Sequence, residues 1–174
     1  RAKLRAVNFY SADLRFASFV NADLRRADLR GACLRGVNFT NADLSEADLR
    51  DGLLMKSVGH GELLPVMTDT GTSEMDHATM REANLTGARV SNAYVVQTDL
   101  SDAILKNARF VRADLSNANF TGAELDGCDF TEANLSGATF RGAVLTRTIL
   151  DHAKLDGANF AGAIVDSVEM RGLD

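Results

Sequence analysis

An apolar residue stands at every fifth position of this chain, and few folds can use that spacing. The series begins at Leu4, Phe9, Leu14, Phe19 and Leu24 and continues to Leu54, eleven in succession. The phase then slips by one residue, and nineteen more follow from Met80 to Met170 without a miss. Two residues before each of these thirty centres stands a small residue. It is alanine in twenty-three cases, with Val7, Val37, Gly52, Thr98, Cys128, Thr148 and Val168 as the exceptions. On an α-helix, positions five apart drift by about 140° around the axis, so no single face would be buried. On a flat strand, residues five apart point to opposite faces. The pattern is consistent only if the chain turns a corner after each short extended piece, so that the centre and the small residue both point inward every time. Four such corners close a square coil of twenty residues, and residue n then lies under residue n+20.

The phenylalanines fit that geometry. Eight of the nine occupy centres, and Phe19 with Phe39, Phe110 with Phe130, Phe120 with Phe140, and Phe140 with Phe160 are each twenty residues apart. The reading therefore predicts a core ladder of Phe19, Phe39, Phe110, Phe130, Phe120, Phe140 and Phe160. Phe110 and Phe130 fall on one wall, with Phe120, Phe140 and Phe160 on the wall opposite.

The units Ala12-Asp13-Leu14-Arg15-Phe16, Ala42-Asp43-Leu44-Ser45-Glu46, Ala118-Asn119-Phe120-Thr121-Gly122 and Ala133-Asn134-Leu135-Ser136-Gly137 resemble the pentapeptide-repeat family, whose consensus is Ala-Asp/Asn-Leu-x-x. The resemblance spans about 150 of the 174 residues. It implies an all-β, right-handed quadrilateral β-helix. The expected organisation is one solenoid over 1–174, with repeats at 2–56 and 78–172 and a non-repeat insertion at about 57–77. Thirty repeats make about 7.5 coils, a rod of roughly 36 Å at a strand spacing of ~4.8 Å. The acidic or amide place is instead held by Arg89, Tyr94, Ile104, Arg109, Val144, Ile149 and Ile164. These departures belong to this chain and are where a partner could be read.

The insertion holds the only proline and two of the three histidines. A stretch of that length inside a compact domain is uncommon unless it has a function or no fixed structure. Two readings stay open: an excursion whose Leu63, Leu64, Val66 and Met67 pack back on a wall, or a partner-binding loop formed by His60, Glu62, Leu63, Leu64, Pro65, Val66 and Met67. His60, Glu62, Asp69, Asp76 and His77 make an imaginable metal or small-ligand cluster, but their spacing matches no structural zinc pattern. His152 is expected on the surface.

A net charge of −5 argues against general nucleic-acid binding, which needs a basic face. Residues 1–54 carry nine basic against seven acidic side chains, and residues 78–174 nine against thirteen. The coil would stack Arg5 under Arg25, Arg15 under Arg35 and Arg30 under Arg50, with Asp23, Asp28, Asp43 and Asp48 placed to separate them. A mixed, solvated surface is the expectation, and a basic end docking an acidic partner is the alternative. Ile104, Val144 and Ile164 fall on one wall, with Glu124 between the first two and Ile149 one wall over. They form a candidate apolar patch, or are β-branched residues that suit an extended backbone.

Cys33 is expected outside and Cys128 inside, more than three coils apart and too far for a bridge. Two unpaired cysteines suit a reducing compartment, here the cytoplasm. No apolar run is long enough to cross a bilayer as a helix, so no membrane is expected. The absent initiator methionine reads as a piece cut from something longer.

No phosphate-cradling glycine loop, nucleophile elbow or Cys–His arrangement occurs, and no cofactor is expected. Glycines such as Gly122, Gly137, Gly142, Gly157 and Gly162 recur at corner places. The function these features favour is a non-enzymatic protein–protein interaction scaffold or regulatory module of a larger, bacterial-type protein, with self-association through open solenoid ends or the apolar patch as a possible partner mode. The alternative, implied by the family resemblance, is a DNA-mimic inhibitor of a type II topoisomerase (gyrase). A third is ligand or metal binding by the insertion.

Overall fold

The computed structural model describes residues 1–34, 36–49 and 78–172, together with the backbone of 55–58 and 62–65. Parallel bridges join outward residues twenty positions apart: Lys3 to Asp23, Asn8 to Asp28, Asp13 to Cys33, and Ser18 to Asn38. Four successive units thus each find their own partner on the next coil, and the coil has four sides. The same spacing recurs beyond the break, as in Tyr94 to Asp114 and Arg109 to Asp129. Across the break the partners are Asn38 with Thr79, Asp43 with Asn84, and Asp48 with Arg89, a spacing of 41 residues. The change of phase after Leu54 is absorbed there, and Met80 stacks where a residue twenty past Phe39 would otherwise sit.

Most of the described corners follow one rule, those after Leu145 and Val165 being the exceptions. The N–H of the small inward residue donates to the carbonyl of the centre three residues earlier, as in Val7 to Leu4 at 3.2 Å and Ala118 to Leu115 at 3.0 Å. Every described residue two past a centre has a positive φ. Glycine takes that conformation without strain, and Gly122 and Gly137 do so at φ 70° and 69°. The corner is less selective than the glycine pattern suggests. Among the described residues eighteen that are not glycine also hold it, including Asn21, Asn41, Asn92, Asn107 and Asn117, whose short amides favour the left-handed region. Coil-to-coil bonds such as Leu115 N–H to the Asn134 carbonyl, 2.7 Å, compensate the rest.

The core is a column of centres and alanines, fully buried from Ala22 to Leu150 among the described residues of the stack. Leu4, Phe9, Leu14 and Phe19 at one end and Leu155 and Phe160 at the other are only partly covered. Two of the non-alanine small positions use their polar atom inward: the Thr148 hydroxyl donates to the Leu125 carbonyl at 2.9 Å and the Cys128 thiol to the Leu105 carbonyl at 2.8 Å.

All four expected ring pairs form. Phe19–Phe39, Phe110–Phe130, Phe120–Phe140 and Phe140–Phe160 stack with centroids 5.3, 5.1, 4.9 and 4.7 Å apart. The two walls also meet across the core, Phe120–Phe130 at 5.9 Å and 81°, and Phe130–Phe140 at 6.5 Å and 83°. Phe16, the ring outside the series, is 72 % exposed.

Two short strands, β1 (Met55–Val58) and β2 (Glu62–Pro65), pair antiparallel with Met55 opposite Pro65 and Val58 opposite Glu62. The sequence reading treats this stretch as a non-repeat insertion or partner-binding loop and assigns it no strands; the available signal is the Gly59-His60-Gly61 spacer between two extended-type segments. Strands β3 (Val144–Thr146) and β4 (Ile164–Asp166) pair in parallel on successive coils.

Cys33 departs from expectation. It keeps the outward register opposite Asp13 but is only 8 % exposed. Outward side chains at this place lie close to the wall, Asp48 at 19 % and Asp129 at 21 % of side-chain exposure. A side chain that ends at its γ atom does not rise above such neighbours. Neither Cys33 nor Cys128 is in a disulfide, and burial pushes the Cys128 thiol far above its ordinary pKa.

Candidate functional site

The square coil converts sequence spacing into vertical ladders. Residues just before each centre form one ladder per wall, and corner residues form another at each edge. Any binding surface is therefore built from rungs twenty residues apart.

The apolar departures occupy such a ladder. Ile104, Glu124, Val144 and Ile164 are consecutive rungs, while Ile149 belongs to the next wall between Asp129 and Glu169. Ile104 and Ile164 are exposed, and Val144 and Ile149 half-buried. Glu124 interrupts the stripe and pairs with Lys106 at 2.7 Å. The structure thus brings Val144 and Ile164 together, separates Ile104 by one charged rung, and leaves Ile149 off the line. His152 is on the surface, at a corner with φ 56°.

Of the candidate loop, His60, Val66 and Met67 lie outside the described residues, and for Glu62, Leu63, Leu64 and Pro65 only the backbone of β2 is described. His60, Asp69, Asp76 and His77 of the imagined metal cluster are likewise outside. Among the described residues, no group of three or more His, Cys, Asp or Glu is placed to hold a metal ion. Among the described residues no helix is long and apolar enough to cross a membrane.

The arginine walls are neutralised locally. Arg25 grips Asp23 at 2.6 Å and reaches Asp43 at 3.6 Å, and Arg15 and Arg30 hold Asp13 and Asp28 at 2.6 and 2.7 Å. All but Arg25–Asp43, which crosses to the next coil, are pairs within one unit, two residues apart, and the acids also cap the backbone, as Asp28 does for the Arg30 N–H at 3.2 Å. The Arg25 hydrogen bonds hold the Asp23 carboxyl at about 2, below its ordinary 3.8, and Arg15 does the same for Asp13. Arg35 and Arg50 lie outside the described residues.

Two clefts run along corners. The first, about 360 Å³, lies among Arg26, Arg30 and Arg89. Each guanidinium there faces an acid: Glu46 at 2.6 Å, Asp28 at 2.7 Å and Asp48 at 3.9 Å. The second, about 430 Å³, lies between the corner ladder Asn92, Arg112, Glu132 and the wall ladder Tyr94, Asp114, Asn134, Lys154. Here Asp114 accepts from Asn134 at 3.1 Å and from the Ser116 N–H at 3.0 Å. Arg112, Glu132 and Lys154 make no ion pair with any described residue. Sequence reasoning notes Tyr94 as a departure but misses this cleft. Writing the chain in rows of twenty, with the 41-residue step at the break, would have lined up its rungs.

A four-sided stack of five-residue units, with parallel bridges and an alanine–leucine core, defines the class: a quadrilateral β-helical repeat protein. The family model for pentapeptide repeats matches in eight copies, over residues 2–41, 73–102, 83–122, 96–131 and 128–165. The chain belongs to the pentapeptide-repeat family, and its fold is the right-handed quadrilateral β-helix of that family.

Among solved structures, it is similar to HetL, a pentapeptide repeat protein involved in heterocyst differentiation regulation from the cyanobacterium Nostoc sp. strain PCC 7120. The match has 29% identity, covers 98% of this chain and 67% of that one, and has a TM-score of 0.68. Similarity to trypsin-treated QnrB1, a plasmid-mediated fluoroquinolone resistance protein, has 21% identity over 98% of this chain and 88% of that one, with a TM-score of 0.47. Rfr23 from the cyanobacterium Cyanothece 51142 matches at 20% identity over 95% and 88%, with a TM-score of 0.36. No curated protein matches the chain. None of these comparisons indicates an enzymatic family.

Proposed function

We propose that the chain is a non-enzymatic scaffold or regulatory module that presents its outward ladders to a protein partner. The observation that carries this reading is the construction of the walls: a column buried from Ala22 to Leu150 among the described residues positions exposed charged and aromatic rungs at fixed heights. The likeness to HetL, a protein of regulation, supports the regulatory half of the reading. In this proposal residues 1–174 form a single solenoid of about 7.5 coils, with repeats at 2–56 and 78–172 and an insertion at about 57–77. In this proposal the protein works in the cytoplasm. Two cysteines outside any disulfide, one wholly buried, accord with a reducing compartment.

The scaffold reading is tested by affinity capture on the immobilised chain, with the free chain as competitor and mass spectrometry as readout. A protein recovered in near-stoichiometric amount and displaced by the competitor is expected. Recovery no greater than on heat-denatured chain overturns the proposal.

The DNA-mimic alternative requires a continuous negative face. The described walls instead interleave cations with acids, as in Arg25–Asp23, Arg109–Asp129 at 3.7 Å and Arg147–Asp126 at 2.5 Å. A gyrase supercoiling assay with micromolar chain is expected to show no inhibition.

A further inference from the structure

We propose that the stretch between Leu49 and Ala78 supplies one solenoid unit plus a surplus of twenty-one residues that the column does not need, so that the surplus is a module that can be removed or exchanged without moving any described rung. This concerns the column itself and stands whatever partner the walls hold.

The three walls that cross the break fix the count. Outward residues bridge at a spacing of twenty along the rest of the stack, and at forty-one between Asn38 and Thr79, Asp43 and Asn84, and Asp48 and Arg89. The difference is twenty-one residues on all three walls. The stretch 50–77 holds twenty-eight residues, so seven remain for the column. Two complete the corner after Leu49, and five make one side. That side belongs on the fourth wall, where Cys33 and Tyr94 are the described rungs below and above it.

The break leaves the bonds of the column unchanged. The Phe39, Leu44 and Leu49 N–H groups donate to the carbonyls of Thr79, Asn84 and Arg89, each at 2.7 Å, and the return bonds from Thr79, Asn84 and Arg89 to Val37, Ala42 and Ala47 are each 3.0 Å. An unbroken pair of coils has similar lengths, Leu115 N–H to Asn134 at 2.7 Å and Asn134 N–H to Ala113 at 2.9 Å. Leu34 and Val95, the centres below and above the side in question, are 0 % and 1 % exposed, so the column is not open at that height. A coil of a solenoid is stabilised by its neighbours, and a surplus that leaves their stacking unchanged adds no coil of its own.

Two segments of the stretch have the small, outward, large order that a side requires: Gly52-Leu53-Leu54 and Ser73-Glu74-Met75. The family model takes up its match again at residue 73. The two segments are twenty-one residues apart, so a shortened chain can use either. Deleting 57–77 joins Lys56 to Ala78 and leaves Leu54 as the centre. Deleting 52–72 joins Asp51 to Ser73 and leaves Met75.

Three deletion variants of the full chain test this by far-UV circular dichroism during a thermal scan. Those lacking 57–77 or 52–72 are in phase and should melt within about 5 °C of wild type or above it, because a shorter connection loses less entropy on closing. A variant lacking 55–77, two residues more, joins Leu54 to Ala78 with no corner between them. It should melt at least roughly 10 °C below the better in-phase chain, or show no cooperative transition. One in-phase chain that meets its expectation, together with the early melt of the short chain, supports the proposal. Any other pattern overturns it: early melting of both in-phase chains shows that the surplus holds the column together, and a short chain level with them shows that phase does not matter.

Discussion

Truncating Phe140 to alanine removes a wholly buried ring that has aromatic neighbours on three sides. Phe120 stacks on one face at 4.9 Å, Phe160 on the other at 4.7 Å, and Phe130 meets its edge at 6.5 Å. Loss of transfer free energy plus the cavity left behind costs about 3 to 5 kcal/mol. The two stacked contacts place the value toward the upper part of that range, since each aromatic pair adds about 0.5 to 1.5 kcal/mol. The site cannot collapse easily, because the backbone on either side is fixed by cross-coil bonds, Phe140 N–H to Asn159 at 2.7 Å and Asn159 N–H to Ala138 at 2.9 Å. In a chain of this size about 1 kcal/mol shifts Tm by ~2–4 °C, so a fall of roughly 6–20 °C is expected. Far-UV circular dichroism during a thermal scan measures it. Phe160→Ala provides an internal scale: that ring is only partly buried and stacks on one neighbour, so its loss should be clearly smaller. A shift below about 2 °C for Phe140→Ala, or a larger shift for Phe160→Ala, refutes the reasoning that the stacked rings are the stabilising column.

The remaining expectations use other parts of the surface and core. Asp13 and Asp23 ionise at about 2 when folded and near 3.8 when unfolded. The unfolded chain therefore takes up more protons as pH falls, and the stability these pairs contribute above about pH 4 is lost between there and about pH 2. Urea midpoints across that window should converge for wild type and Asp13→Asn with Asp23→Asn, and parallel curves would contradict the pairing. In Cys33→Ser, the remaining Cys128 thiol should fail to react with a disulfide reagent until denaturant is added, because it is buried and its pKa is raised; prompt reaction in native buffer would place it at the surface. Val144→Glu with Ile164→Glu is expected to leave molar mass by light scattering unchanged, since β-branched residues suit an extended wall without a partner. A drop in mass would make that ladder a self-association surface.

How much of this was legible depended on the range over which each feature is decided. Inward and outward placement is local: a small residue, one outward residue and a large apolar residue, then a corner, repeat on every side. Leu24, Phe120 and Ala133 are therefore buried where the period of five puts them. The corner conformation was half visible. Glycines such as Gly122 mark it, but Arg112, Glu132 and His152 adopt the same positive φ because the cross-coil bonds hold them there.

What the amino-acid order determined without help was the side of the wall on which each residue stands, and hence the four-sided column and its ring pairs. Tertiary structure decided which residues become neighbours across coils. The step of 41 residues at the break, the pairing of Arg26 with Glu46, and the unpaired ions at Arg112, Glu132 and Lys154 all depend on it. The physical reason is that burial is set by backbone direction within five residues, whereas charge pairing is set by distances between side chains twenty or more residues apart. Those distances exist only once the coils have stacked in register.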